Sequence, residues 1–96
     1  MIDLENKYIE FIKNTINNVL TDVEIYIFGS RVQGVAKKYS DVDIALRSSE
    51  MIKFSDILRI KSLFENSIFP YKVDIVNLDS VTPEFLSIIE KDMIKI

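Results

Sequence analysis

Three aspartates and one glycine turn carry what chemistry this chain can do. Asp41 and Asp43 flank Val42 at the start of an apolar run, Val42-Asp43-Ile44-Ala45-Leu46, and Asp74 stands inside another, Val73-Asp74-Ile75-Val76. Side chains two apart on a strand share a face, so Asp41 and Asp43 point one way while Val42, Ile44 and Leu46 face a core. Asp74 is expected in an apolar setting, where an unpaired charge is costly. Two like charges about 4 Å apart repel by about 4 kcal/mol at an effective dielectric near 20, a large share of the roughly 5 to 10 kcal/mol that stabilises a small domain. A divalent cation would offset that repulsion.

The second feature is Phe28-Gly29-Ser30-Arg31-Val32-Gln33-Gly34, which holds both glycines of the chain. Gly serves where backbone takes φ > 0 or comes close to a ligand. The turn follows an alternating run, Val23 to Phe28, that reads as a strand, and a short helix from Ser30 to Lys37 would aim free backbone N–H groups above Gly29 and Ser30. The spacing Gly29-x₄-Gly34 mimics a P-loop, but Val35-Ala36 stand where that motif needs Lys-Ser/Thr, which excludes a P-loop NTPase. Arg31, Lys37 and Lys38 are basic neighbours, phosphate partners or an ordinary solvated face.

Composition narrows the options further. Ninety-six residues make one domain, 1-96, and the 48% hydrophobic content suffices for a core and leaves apolar surface for a partner. There is no Cys and no His, so any metal takes oxygen ligands, which favours Mg²⁺ or Mn²⁺ over Zn²⁺. A net charge of −3 argues against general nucleic-acid binding. No apolar run approaches a membrane span and no leader pattern stands at the start, so a cytoplasmic protein is expected.

The elements that must position these groups follow from periodicity. Leu4, Tyr8, Phe11, Ile12, Ile16, Val19 and Leu20 predict a helix over 3–20 with Asp3 as cap. Strands are expected near 23–28, 42–47 and 72–78. Ser55 caps a helix through Ile57, Ile60, Phe64 and Ile68 that Pro70 closes, and Thr82-Pro83 opens a last helix through Phe85, Leu86, Ile89 and Met93. The order α-β-α-β-α-β-α defines an α/β (α+β) fold with a small mixed β-sheet and flanking helices.

Gly29-Ser30, ten residues, Asp41-Val42-Asp43 and later Asp74 resemble the nucleotidyltransferase superfamily of the DNA polymerase β type. Gly29-Ser30-Arg31, Gly34 and Ser40-Asp41-Val42-Asp43 are similar to its minimal branch, the MNT antitoxins of HEPN–MNT systems. The resemblance implies that Asp41 and Asp43 bind two Mg²⁺ ions, that Asp74 completes the metal site and acts as base, and that Gly29 and Ser30, with Arg31 and Ser40, hold ATP. It implies transfer of AMP to a partner protein, a HEPN ribonuclease toxin, in a hetero-oligomer. Gln33 departs from the basic residue common at its position. Larger relatives append a domain for the acceptor, so here the acceptor should arrive on another polypeptide, docking on apolar surface of the first or last helix. The rival reading is a non-catalytic antitoxin that neutralises by binding. A metal motif of a sugar-nucleotide glycosyltransferase is weaker, since such folds need far more chain.

Overall fold

The computed structural model describes residues 1–96. The elements run α1 (Asn6–Asn17), β1 (Val23–Phe28), α2 (Ser30–Gln33), β2 (Val42–Ser48), α3 (Phe54–Glu65), β3 (Val73–Asn77), α4 (Pro83–Asp92) and β4 (Ile94–Lys95). Four strands form one sheet in the order β3-β2-β1-β4. β1 pairs antiparallel with β2 and with β4, and β2 pairs parallel with β3, so the sheet is mixed as expected.

Alternation along the strands divides the core. Ile25, Ile27, Val42, Ile44, Leu46 and Ile75 point to the face covered by Ile12 and Ile16 of α1 and Ile60 and Phe64 of α3. Ile12, Ile16, Ile27, Val42, Ile44, Leu46 and Ile60 are fully buried; each such side chain contributes roughly 1.5 to 3 kcal/mol relative to exposure. The opposite face is thinner: Tyr26, Ala45, Leu78 and Ile89 are buried there beneath α4, with Phe28, Val76, Leu86 and Met93 around them. Arg47 shares that face and meets Glu90 of α4 at 3.8 Å. Asp43 and Asp74 alternate onto the same thin side.

Several boundaries differ from the sequence expectation. α1 begins at Asn6, with Glu5 at the cap making no side-chain cap bond. Asp3 is drawn elsewhere: its N–H donates to the Arg31 carbonyl at 2.7 Å and its own carbonyl accepts from Arg31. α2 is a single turn that stops at Gly34, left-handed with φ 76° and ψ 17°, short of Lys37. α3 starts at Phe54 rather than after Ser55, because Asp56 Oδ2 accepts from the Lys53 N–H at 3.1 Å and closes the first turn. Thr82 caps α4 as expected, accepting from the Phe85 N–H at 3.2 Å, with Pro83 at the first position. β4 was not expected. It is two residues long, too short for any periodicity, and exists only because Tyr26↔Lys95 and Ile27↔Ile94 pair on the free edge of β1. Lys95 Nζ meets Glu24 Oε2 at 3.2 Å there, and hydrogen bonds from Lys95 and Tyr26 hold the Glu24 carboxyl below its usual range.

Candidate active site

The site stands at one end of the sheet, where β1 ends and β2 and β3 begin. Phe28 is opposite Asp43 in the β1–β2 register, and Asp43 is opposite Asp74 in the parallel β2–β3 register. The glycine turn and two of the three aspartates are therefore neighbours by strand pairing alone. Asp41 sits just before β2 and is exposed.

Gly29 takes φ 79° and ψ −150°, a backbone state open to glycine. A Cβ there would collide with the Asp43 carboxylate. The turn is thus shaped so that its bare backbone lies directly against the acid. The N–H groups of Val32 and Gln33 both donate to the Gly29 carbonyl, at 3.1 and 3.2 Å, which starts the helical turn and leaves Ser30, half-buried, at its first position.

Asp43 is half-buried, and its carboxyl is pushed above its usual value of 3.8 by burial, then by the charges of Asp74 and Asp41. The charges of Asp74 and Asp41 are thus both felt at Asp43. Asp74 is exposed, which corrects the expectation of an apolar setting: β3 is an edge strand and its thin face lies open at this end. No three acidic side chains close into a ready-made metal cage. A hard cation of the kind that keeps its waters needs only one or two carboxylates and takes its other ligands from substrate phosphates. The side chains on offer, Asp43 and Asp74 on paired strands with Asp41 just before β2, are all oxygen donors, the type such an ion takes.

Arg31 and Ser40 take up different positions from those expected. Arg31 is only 5% exposed; its Nη1 donates to the Asp3 carbonyl and its Nη2 to the Ser40 carbonyl, both at 2.8 Å. Each terminal nitrogen carries one of these bonds, while the buried Nε has no hydrogen-bond partner; the guanidinium is held inside the protein rather than on a solvated basic face. The Ser40 hydroxyl accepts from the Lys37 N–H at 2.8 Å, and the Ser40 N–H donates to the Lys37 carbonyl at 3.0 Å. Ser40 closes the turn that leads into Asp41. Lys37 and Lys38 are exposed.

Beside Gly29 lies a cavity of about 170 Å³ lined by Phe28, Gln33, Phe85, Ile88, Ile89 and Asp92. Gln33 Nε2 donates to Asp92 Oδ2 at 3.1 Å across its rim, a link between α2 and α4 that no sequence signal announced. A larger cavity of about 260 Å³ lies between α3 and β3, lined by Phe64, Phe69, Tyr71 and others. Its lining reaches Lys72 and Val73 just before Asp74, but no aspartate lines it.

Fold and site together define a nucleotidyltransferase: residues 3–96 match the family described as Polymerase beta, Nucleotidyltransferase, and the chain belongs to that family. Among named relatives it is 34% identical over 90 residues to the probable protein adenylyltransferase MntA of Haemophilus influenzae, a match spanning 94% of this chain and 79% of that protein. Its fold resembles a chain of a toxin-antitoxin crystal structure with AMP-PNP, with a TM-score of 0.76 at 22% identity over 90% of this chain and 69% of that one. It also resembles a chain in the complex of a tri-AMPylated Shewanella oneidensis HEPN toxin with its MNT antitoxin, with a TM-score of 0.62 at 21% identity over 90% and 69%. No helix is long and apolar enough to cross a membrane.

Proposed function

We propose that this nucleotidyltransferase transfers AMP from ATP to a hydroxyl of a partner protein, a HEPN-domain toxin that it neutralises. The observation that carries the reading is the abutment of the Gly29 turn on Asp43, with Asp74 opposite Asp43 on the next strand. A phosphate seat and an acidic cluster in contact are what nucleotidyl transfer needs; the name of the Haemophilus relative and the nucleotide and AMPylated toxin in the structural neighbours supply the partner.

Asp41, Asp43 and Asp74 would hold two magnesium ions, with manganese as a substitute. Bound there, the metal would polarise the α-phosphate and neutralise charge on the departing pyrophosphate. Gly29 backbone and the Ser30 hydroxyl orient the triphosphate. Asp74, exposed on the edge strand, is accessible to an incoming hydroxyl and takes its proton as the acceptor oxygen bonds to the α-phosphorus and the bond to the β-phosphate breaks. The acceptor comes from outside, and exposed Phe85 and Ile88 on α4, 38% and 60% accessible, offer apolar surface for it beside the site.

The test is label transfer from α-labelled ATP to the purified partner in magnesium. Native protein labels the partner and Asp41→Asn or Asp43→Asn does not; full labelling by either variant removes the assignment. Neutralisation of the partner in cells by both variants would instead favour the binding-only antitoxin.

A further inference from the structure

We propose that Arg31 is a positioning residue for the acidic cluster: its buried guanidinium sets where Asp41 stands and where the strand bearing Asp74 begins. This deepens the nucleotidyltransferase reading and rests on it. Three contacts carry the inference. The Nη2 bond to the Ser40 carbonyl pins the residue immediately before Asp41, and the Nη1 bond to the Asp3 carbonyl ties that point to the N-terminal segment. The guanidinium carbon lies 4.2 Å from the centre of the Tyr71 ring, on the segment leading into β3.

Tyr71 is itself held, edge-on to Tyr8 at 5.6 Å and to Phe69 at 5.9 Å, so the stack connects the site to the aromatic cluster under α1. The next residue, Lys72, accepts at its carbonyl from the Val42 N–H at 2.9 Å, which locks the starts of β2 and β3 together one residue after Tyr71 and two after Ser40. One side chain, two residues after Gly29, therefore braces the segments that deliver Asp41 and Asp74. Charged donors make hydrogen bonds roughly twice as strong as neutral ones, and only the planar guanidinium can reach two carbonyls in a fork while stacking on a ring. The molecule's ion pairs lie elsewhere, so the cation is spent on geometry rather than on a carboxylate.

The experiment titrates Mn²⁺ into the native protein, Arg31→Lys and Arg31→Met with a non-hydrolysable ATP analogue, and separately measures analogue binding in EDTA. A core variant at Ile12, either Val or Ala, chosen to match the lowered Tm, controls for lost stability. Expected is an increase of about tenfold or more in half-saturating Mn²⁺ for both Arg31 variants, as for residues that orient metal ligands. Metal-free analogue binding stays within about twofold of native, and the Ile12 control keeps the native midpoint. A native midpoint in Arg31→Lys overturns the proposal. So does an equal shift in the Ile12 control, or a loss of metal-free analogue binding that Lys restores, the mark of a direct phosphate contact. If native protein shows no metal-dependent analogue binding at all, the proposed metal-dependent AMP transfer falls first, and this proposal with it.

Discussion

The carboxylate of Asp43 fills the space that a side chain on Gly29 would need. Glycine at 29 is thus doubly required, by its φ of 79° and by the acid in front of it. Gly29→Ala should push the Asp43 carboxylate aside and strain the turn. A loss of stability of about 1 to 3 kcal/mol and a fall of about 10²-fold in transfer are expected, read by thermal melts and by label transfer. Native rates in Gly29→Ala would show that the close approach is incidental.

Crowding at Asp43 makes stability depend on pH. Its folded-state affinity for a proton is raised by burial, Asp74 and Asp41, so the folded state binds more protons than the unfolded chain between the ordinary value of 3.8 and the raised one. Stability is then lost as pH climbs through that window. Asp43→Asn should therefore melt higher than native at neutral pH without metal, with the difference closing in acid. Saturating magnesium should narrow it from the other side by stabilising the native protein.

Metal affinity should follow the same group. As pH falls through the raised Asp43 value, half-saturating Mn²⁺ should climb, because proton and ion compete for one carboxylate. A flat Mn²⁺ midpoint across that range, measured by calorimetry, would place the metal away from Asp43.

Asp74 should behave differently from Asp43. It is exposed on an edge strand, so Asp74→Asn should change stability by only about 0.5 kcal/mol. Transfer should nevertheless be lost while the partner still binds, as seen by labelling and pull-down of the same sample.

Removing the Thr82 cap should separate fold from site. Thr82→Ala deletes the hydroxyl that accepts from the Phe85 N–H and should cost about 1 kcal/mol with label transfer per folded molecule unchanged. A disproportionate loss of transfer would mean that the start of α4 takes part in binding substrate.

The aspartates, the glycine turn and three of the four strands were legible in sequence because each rests on local chemistry. Alternation in Val42-Asp43-Ile44-Ala45-Leu46 places its own apolar face inward, and a glycine between strand and helix marks its own turn. The burial of Arg31 was not legible, for the opposite reason. Its partners, Asp3, Ser40 and Tyr71, lie 28, 9 and 40 residues away, and a basic residue beside a phosphate turn carries no local mark of whether it faces out or in. The same holds for α1, whose expected cap Asp3 is engaged by Arg31 instead.

What the chain's own order of residues determined was the inventory: acids at spacing two, a third on a later strand, a bare turn before them, and helices that cover one face with isoleucine. What only tertiary structure decided was which of these meet. The parallel pairing of β2 with β3 sets Asp74 against Asp43, the antiparallel β1–β2 pairing brings Gly29 to the same place, and the edge position of β3 leaves Asp74 open to solvent. Strand pairing joins residues far apart in sequence through backbone hydrogen bonds common to every residue, so neither register nor edge is written in side-chain type.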